Sequence, residues 1–393
     1  MTSLGSRSSA HAVQVSFFVD PAGRDGEALL RAWHTLPGVA AAAARAGASV
    51  TIVQAAAHRE IIEQGGVTYH FVDDQRSHHV RLPAGIGMLS PSRRLMDLVR
   101  SLRPDVIHLH GFVFPVAIWN FARAFAGIPL MIQDHSTRLP DGMRRVLWRK
   151  ACKSIDAVAF TTREQARPFY DAGVFRPETQ LFEILGGSSS FTPGDREDAR
   201  ARTGIEGDPC ILWVGRLDSN KDPLTALDAF ERAAASLPDA RMWLVFHESR
   251  LINDVRHRIA GSPLLSERVT LLGAQDHEHM EYLYRAADLF VQASHFEASG
   301  FSALEAMACG TPALLTDIPS FRRIVNNGKA GSLTPVGDSV ALADAMIRWG
   351  SEKVIPIRQA ARSWFERGLS FDTIGRDLRS AYETLAHSGN SSG

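Results

Sequence analysis

Short apolar runs alternate with helix-forming stretches along almost the whole chain of 393 residues. Most of the runs lack polar alternation, which is typical of strands that helices cover on both faces. A strand–helix–strand order predicts parallel sheets with right-handed crossovers. The predicted strands lie at 13–19, 49–54, 68–72, 105–109, 130–133, 157–160 and 181–184, and then at 210–214, 242–246, 269–272, 289–291, 313–315 and 331–333.

Glycine, serine and proline concentrate between the two series of strands, at residues 185–194. Such a composition is typical of a linker, and the chain is long enough for two separate cores. We therefore predict an α/β fold with two Rossmann-like, doubly wound domains, at 1–190 and 191–370. In open sheets of this kind ligands bind at the carboxyl ends of the strands, so a cleft faced by both domains is the expected site.

The composition excludes several classes of protein. Lys plus Arg and Asp plus Glu both number 43, so no basic field points to nucleic acid. The three cysteines form no CxxC pair, which favours a reducing cytoplasm over a disulfide framework. Residues 1–11 lack the apolar core of a signal peptide, and no uninterrupted apolar run would span a bilayer.

A strand, a glycine turn and a short helix follow one another at residues 288–310. The first N–H groups of a helix have no partner within it and carry partial positive charge, so they favour phosphate. The turn and the start of this helix therefore predict a phosphate site, at Ser299, Gly300, Phe301 and Ser302.

Two carboxylates flank this predicted phosphate site, Glu297 before it and Glu305 inside the helix. A carboxylate repels phosphate, but it accepts hydrogen bonds from hydroxyl groups, such as those of a sugar or a ribose. A ligand with phosphate between two groups that carry hydroxyls is a nucleotide-diphosphate sugar. The alternative is that 302–305 is a capping box, in which Glu305 only caps the N-terminus of the helix.

A basic pair follows the predicted strand at 210–214. Arg216 and Lys221 lie on the loop at its carboxyl end, before a helix that Asp222 caps and Pro223 begins. A guanidinium fork and a flexible ammonium together suit a diphosphate leaving group. The alternative is a solvated loop with incidental charges.

Histidines follow two strands of the first half. His135 comes at a strand end and beside an acid, which favours a hydrogen-bonding role at a reacting centre. His110 is more readily explained as a packing residue. The sequence has no His/Cys cluster at metal spacing, no P-loop and no GxGxxG after the first strand, so we predict no metal and no bound cofactor.

A basic, amphipathic stretch lies at 142–153 (GMRRVLWRKACK). We favour a helix that packs on the core with a solvated basic face. The alternative is peripheral contact with anionic lipid at the inner face of the membrane, in which case the acceptor would be a lipid-linked sugar or a glycolipid.

Together these motifs resemble the retaining glycosyltransferases of the GT-B fold, most closely glycosyltransferase family 4 (glycosyl transferases group 1). The resemblance covers most of the chain and is carried by 103–110, 214–217 with Lys221, 283–291, and the Glu297-x7-Glu305 segment up to Pro312.

The resemblance implies a role for each of these residues. Arg216 and Lys221 would hold the donor diphosphate, Glu297 the donor sugar and Glu305 the ribose, and His135 would lie near the reacting centre. It also implies that the last helix, within 371–393, packs back on the first domain. Transfer would retain the anomeric configuration without a divalent metal.

The expected function is therefore transfer of a sugar from a nucleotide-diphosphate donor, most readily a UDP-sugar, to a hydroxyl acceptor. The acceptor would be a sugar, a glycolipid or a small molecule, in polysaccharide or glycoconjugate synthesis in the cytoplasm. Two alternatives remain open, a nucleotide-sugar 2-epimerase of related fold and a non-catalytic scaffold that binds nucleotide sugars.

Overall fold

The structure is a computed structural model that describes residues 9–33, 35–74, 81–82, 86–87, 91–135, 138–247, 249–351 and 354–390. Residues 1–8, which belong to the stretch examined for a signal peptide, and 391–393, at the end of the expected last helix, lie outside the described residues.

Strands and helices alternate as the sequence predicts. The strands are β1 (His11–Ser16), β2 (Ser49–Ala56), β3 (Glu60–Gln64), β4 (Val67–Asp73), β5 (Arg81–Leu82), β6 (Ile86–Gly87), β7 (Val106–His110), β8 (Leu130–Gln133), β9 (Ala157–Phe160), β10 (Gln180–Glu183), β11 (Cys210–Val214), β12 (Arg241–Val245), β13 (Val269–Gly273), β14 (Leu289–Gln292), β15 (Ala313–Thr316) and β16 (Gly331–Thr334). The helices are α1 (Gly26–Ala32), α2 (Thr35–Arg45), α3 (Arg93–Ser101), α4 (Pro115–Ala124), α5 (Gly142–Cys152), α6 (Arg163–Asp171), α7 (Arg196–Thr203), α8 (Pro223–Ala233), α9 (Ile252–Ala260), α10 (Pro263–Arg268), α11 (His277–Ala286), α12 (Phe301–Ala308), α13 (Pro319–Ile324), α14 (Ser339–Gly350), α15 (Val354–Gly368) and α16 (Phe371–Asn390).

The chain divides into two compact units. Unit 1 comprises Met1–Gly187 and Phe371–Gly393, and unit 2 comprises Ser188–Ser370. The division lies within the glycine- and serine-rich stretch identified in the sequence. Although the composition of that stretch is typical of a linker, residues 184–189 are buried. Small side chains allow close packing there, and the Ser188 hydroxyl donates to the Leu369 carbonyl at 2.6 Å.

Unit 1 contains a sheet with the strand order β10-β9-β8-β7-β1-β2-β4-β3. Its strands pair in parallel, as predicted, except that β3 is antiparallel to β4. The expectation of purely parallel sheets was wrong at this edge. Gly65 and Gly66, with φ of +61° and +76°, form the tight turn of this hairpin, and such a pair of left-handed residues is a strong hairpin signal.

Unit 2 contains a parallel sheet with the order β13-β12-β11-β14-β15-β16. Every predicted strand of both series overlaps an observed strand, and the α/β fold class is confirmed. The strands are apolar throughout because helices cover them. The cluster at the centre of this unit includes Ile211, Trp213, Leu244 and Val291, all fully or almost fully buried.

The last helix, α16, packs against α2 in unit 1. Its buried side chains recur at helical spacing, at Ile374, Leu378, Ala381, Tyr382 and Leu385. The two helices approach so closely that a Cβ placed on Gly375 would lie 2.2 Å from the carbonyl oxygen of Ala42. The chain thus returns to its first unit and completes that unit's core.

Candidate functional site

The strand order of unit 2 reverses between β11 and β14, which pair with each other in parallel. The chain builds outward from β11 to β12 and β13, and then begins again on the other side with β14. The loops at 215–222 and 293–300 therefore leave the sheet side by side at its carboxyl edge. In open α/β sheets ligands bind at such a reversal.

Asp218 organises the loop after β11. One of its carboxylate oxygens accepts hydrogen bonds from the backbone N–H groups of Asn220, at 3.0 Å, and Lys221, at 2.9 Å. The other oxygen accepts from Nε of Arg216 at 3.0 Å. Asp218 thus fixes the backbone that carries Lys221 and also holds the guanidinium of Arg216, a role that the sequence reasoning missed.

The two loops are tied to each other through Asn220. Its side-chain amide donates to the Phe296 carbonyl at 3.0 Å, and its own carbonyl accepts from the N–H of His295 at 2.8 Å. Nε2 of His295 also lies 2.9 Å from a carboxylate oxygen of Asp222, the residue that caps α8 as predicted. These hydrogen bonds place the loop at 215–222 beside the loop that carries Glu297.

Lys221 and Glu297 form an ion pair, with 2.5 Å between Nζ and Oε1. Each side chain is only 13% exposed. The structure therefore brings together two of the predicted catalytic residues, and partial burial strengthens their attraction relative to a surface pair. A carboxylate and an ammonium held side by side can bind hydroxyl groups and phosphate oxygens next to each other.

Gly300 begins α12 in a left-handed conformation, with φ of +67°. A Cβ at this position would lie 2.7 Å from the ring of Phe321, so only glycine fits without a shift of its neighbours. The first amides of the helix, at Phe301 and Ser302, precede the first N–H that bonds within the helix. Ser299, just before the turn, is buried.

Glu305 does not close a capping box. The helix is capped by Gly300 without a side-chain hydrogen bond, and Ser302 lies inside the helix, so the capping alternative was wrong. Instead, the hydroxyl of Tyr284 donates to a carboxylate oxygen of Glu305 at 2.9 Å. Burial raises the pKa of Glu305 to about 7, and the Tyr284 hydrogen bond opposes this shift.

The histidines of unit 1 form a separate polar cluster at the strand-order reversal between β1 and β7. His135 contacts His110, which in turn contacts Gln14 on β1, and His108 contacts Tyr382 on α16. Burial lowers the pKa of His108 to about 3 and that of His110 far below its ordinary value. Desolvation also lowers the pKa of His135, although part of this residue is exposed and Asp134 opposes the shift. The rings of His108 and His110 are therefore neutral at pH 7, and desolvation favours the neutral form of His135.

The structure thus gathers Arg216, Lys221, Glu297, the turn at 299–302 and Glu305 around one edge of the sheet in unit 2, whereas His135 belongs to unit 1. Within the described residues, no group of three or more His, Cys, Asp or Glu side chains is arranged to hold a metal ion. No helix in the described part of the chain is long and apolar enough to cross a bilayer.

The amphipathic helix predicted at 142–153 is α5. Trp148, Ala151 and Cys152 are buried, so one face of the helix packs on the core as favoured. Trp148 therefore does not belong to an exposed apolar surface. Met143 and Val146 are 88% and 62% exposed, and they lie among the basic residues of the helix.

Two Rossmann-like units, each with a strand-order reversal, define the GT-B architecture of glycosyltransferases. Two family models match the chain, one described as Glycosyl transferases group 1 over residues 195–364 and one as Glycosyl transferase 4-like domain over 32–182. Both models describe glycosyltransferases, and each matches less than half of the chain.

Known proteins resemble the chain in sequence over part of its length and in fold over nearly all of it. D-inositol 3-phosphate glycosyltransferase of Mycolicibacterium gilvum (strain PYR-GCK) is 38% identical over 255 residues, which cover 58% of this chain and 54% of that protein. The chain thus matches about half the length of this curated relative.

Solved structures extend the similarity of fold to nearly the whole chain. A glycosyltransferase from Rickettsia africae ESF-5 superposes with a TM-score of 0.71 at 16% identity, covering 96% of this chain and 99% of that one. Anabaena Alr3699/HepE in complex with UDP superposes with a TM-score of 0.66 at 19% identity, covering 95% and 100%.

Proposed function

We propose that this protein is a retaining, metal-independent glycosyltransferase that uses a nucleotide-diphosphate sugar, with UDP-sugars the first choice. The observation that carries the proposal is the Lys221–Glu297 pair beside the N-terminus of α12. A cation and helix amides suit the diphosphate, and a carboxylate suits the hydroxyl groups of the sugar. The Anabaena structure, solved with UDP, supports the choice of base.

The proposed reaction forms one bond and breaks one at the anomeric carbon of the donor. The acceptor hydroxyl attacks the face from which the diphosphate leaves, and its proton passes to an oxygen of the departing phosphate. Arg216, Lys221 and the amides of Phe301 and Ser302 stabilise the negative charge that develops on the leaving group. Glu297 holds hydroxyls of the donor sugar during the exchange.

Glu305 holds the ribose in this proposal. Its carboxyl group is half-buried with one oxygen on the Tyr284 hydroxyl, so the remaining lone pairs can accept from ribose hydroxyls. His135 contacts the sugar through a hydrogen bond. No residue of the chain needs to act as a base toward the acceptor, because the donor's own phosphate takes the proton.

Transfer is favoured over the two alternatives because the matching family models and the M. gilvum relative are described as glycosyltransferases. Acceptor-dependent release of nucleotide would establish transfer. Conversion of the donor without an acceptor would support the epimerase, and binding without turnover would support the scaffold. The relative's name makes a phosphorylated cyclitol the first small acceptor to test, followed by sugars and glycolipids.

Variants test the roles in the proposed mechanism. Arg216→Ala and Glu297→Ala should each lower kcat for transfer by about a hundredfold or more, because each removes an interaction that strengthens in the transition state. Arg202→Ala is the matched control, since Arg202 lies on α7 and pairs with Asp198 on the protein surface. Wild-type turnover in both site variants would refute the mechanism. Transfer that persists in excess EDTA tests metal independence.

Peripheral contact with the inner face of the membrane belongs to the same proposal. Met143 and Val146 extend from α5 among basic side chains, and the three cysteines are free and buried, as a reducing cytoplasm allows. Co-sedimentation with vesicles rich in anionic lipid should exceed that with neutral vesicles and should fall in a Met143→Ser/Val146→Ser double variant. Equal sedimentation with both lipids would remove the membrane contact and leave the transferase proposal standing.

A further inference from the structure

Five polar side chains of unit 1 form one continuous hydrogen-bonded network, which we call the histidine network. His135 Nε2 lies 3.0 Å from His110 Nδ1, and His110 Nε2 lies 3.0 Å from Gln14 Oε1. Gln14 Nε2 lies 2.9 Å from the Tyr382 hydroxyl, which lies 2.8 Å from His108 Nδ1. The network runs from the partly exposed His135 to the fully buried His108.

The orientation of the Gln14 amide gives this network a direction. Because Gln14 Nε2 donates to Tyr382, Gln14 Oε1 must accept, and the proton of neutral His110 therefore lies on Nε2. Nδ1 of His110 is then an acceptor, so His135 must donate to it from Nε2. The remaining ring nitrogen of His135, Nδ1, carries a lone pair.

The hydroxyl of Tyr382 continues the same direction at the other end. Its oxygen accepts from Gln14, and its own proton is donated to His108 Nδ1. His108 Nε2 then carries its proton without a partner among the described residues. Reversal of the Gln14 amide would reverse every donor in the network, so the tautomers of His135 and His108 are linked through groups that do not touch each other.

We propose that Tyr382 is a positioning residue that, through Gln14 and His110, fixes His135 in the tautomer with its proton on Nε2 and a lone pair on Nδ1. His135 is thereby prepared to accept a hydrogen bond from a hydroxyl group. That this hydroxyl belongs to the donor sugar rests on the proposed function. Tyr382 lies on α16. By this inference α16 helps to position a residue of the site as well as completing the core of unit 1.

The tautomers can be read directly by NMR of the full chain labelled with 15N-histidine, in which protonated and unprotonated ring nitrogens differ widely in shift. The signals are assigned by their loss in His110→Asn and His135→Asn. Wild-type His110 and His135 should both show a proton on Nε2. In Tyr382→Phe both rings should become tautomer mixtures, because the Gln14 amide is then free to take either orientation.

Tyr69→Phe is the matched control. Tyr69 is also buried in unit 1, but its hydroxyl has no partner within the described chain, so its removal should leave the tautomers unchanged. Gln14→Met interrupts the network in its middle and tests the same inference should Tyr382→Phe fail to fold.

Kinetics supply a second readout. Tyr382→Phe should lower kcat for transfer about fivefold, the value of one hydrogen bond, with the donor KM changed by less than about twofold. Tyr69→Phe should leave both constants at the wild-type level.

The inference is overturned if wild-type His135 carries its proton on Nδ1, or if Tyr382→Phe and Gln14→Met keep the wild-type tautomers. A shift of tautomers in Tyr382→Phe without any change in transfer supports the positioning by Tyr382 and instead removes His135 from the proposed mechanism. Failure of the inference about Tyr382 and failure of the proposed role of His135 in transfer therefore give different results.

Discussion

Residues of the candidate site fall into those with a visible sequence signal and those without one. Arg216, Lys221 and Glu297 were identifiable because charged side chains at strand ends in an α/β chain point to a ligand. Asp218 and Tyr284 were missed. Asp218 acts through an Asx turn, for which an Asp two residues before Asn220 was the available signal. Tyr284 reaches Glu305 from another helix, and no spacing in the sequence indicates that contact.

Glu305 gives a prediction at the residue scale. Its pKa of about 7 lies above the ordinary value of 4.5, so between these values the folded state binds a proton that the unfolded state releases. The stability that this group contributes is therefore fully present below pH 4.5 and is lost as the pH rises through 7. The full loss is on the order of 3 kcal/mol.

Glu305→Gln removes this loss. The free energy of unfolding of the variant, relative to that of the wild type, should therefore rise by about 2 kcal/mol between pH 5 and pH 8. Chemical denaturation at several pH values measures it, with Glu267→Gln on the exposed face of α10 as the control. A difference that does not vary with pH would show that the Glu305 carboxyl is not buried in solution.

At the element scale, the backbone conformation of the turn before α12 determines where the first amides of that helix lie in the candidate site. Strand β14 ends at Gln292, and the chain must reverse within a few residues to begin a helix at Phe301. The left-handed Gly300 makes this reversal and lies against Phe321. The sequence predicted the helix and the glycine that precedes it. The close contact of Gly300 with Phe321 on α13 is visible only in the folded structure.

Gly300→Ala should therefore lower the free energy of unfolding by about 3 kcal/mol, from left-handed backbone strain and the overlap with Phe321 together. It should also weaken nucleotide binding, because the amides of α12 shift. Gly337→Ala separates the two causes, since Gly337 has φ of +74° but open space around its Cβ. That control should lose only about 1 kcal/mol and bind nucleotide normally. Equal losses in both variants would exclude the contact with Phe321 as a cause.

At the scale of the whole molecule, the return of α16 to unit 1 decides which residues share a core. Residues 371–390 follow unit 2 in sequence but bury their apolar face on α2. Unit 1 cannot complete its core, or the histidine network, until α16 has been made. The folding of unit 1 therefore depends on its most distant segment.

Gly375→Ala tests this dependence. The added methyl group would overlap the Ala42 carbonyl, so the helix pair must separate, at a cost of about 2 kcal/mol to unit 1. Hydrogen exchange should show faster opening of β1 and β7, with unit 2 unchanged. Ser380→Ala, on the exposed face of α16, is the control. Faster exchange in unit 2 as well would show that the two units unfold together.

The sequence by itself determined the alternation of strands and helices, the parallel pairing apart from the β3–β4 hairpin, the Asp222 cap of α8 and the strand-end position of the charged residues. These properties depend on local periodicity and backbone preference, which neighbouring residues carry. Only the tertiary structure decided that Glu305 meets Tyr284, that Lys221 meets Glu297 and that Tyr382 reaches Gln14 across 368 positions. Such contacts depend on how separate elements pack, and packing between distant elements leaves no periodic signal in a single sequence.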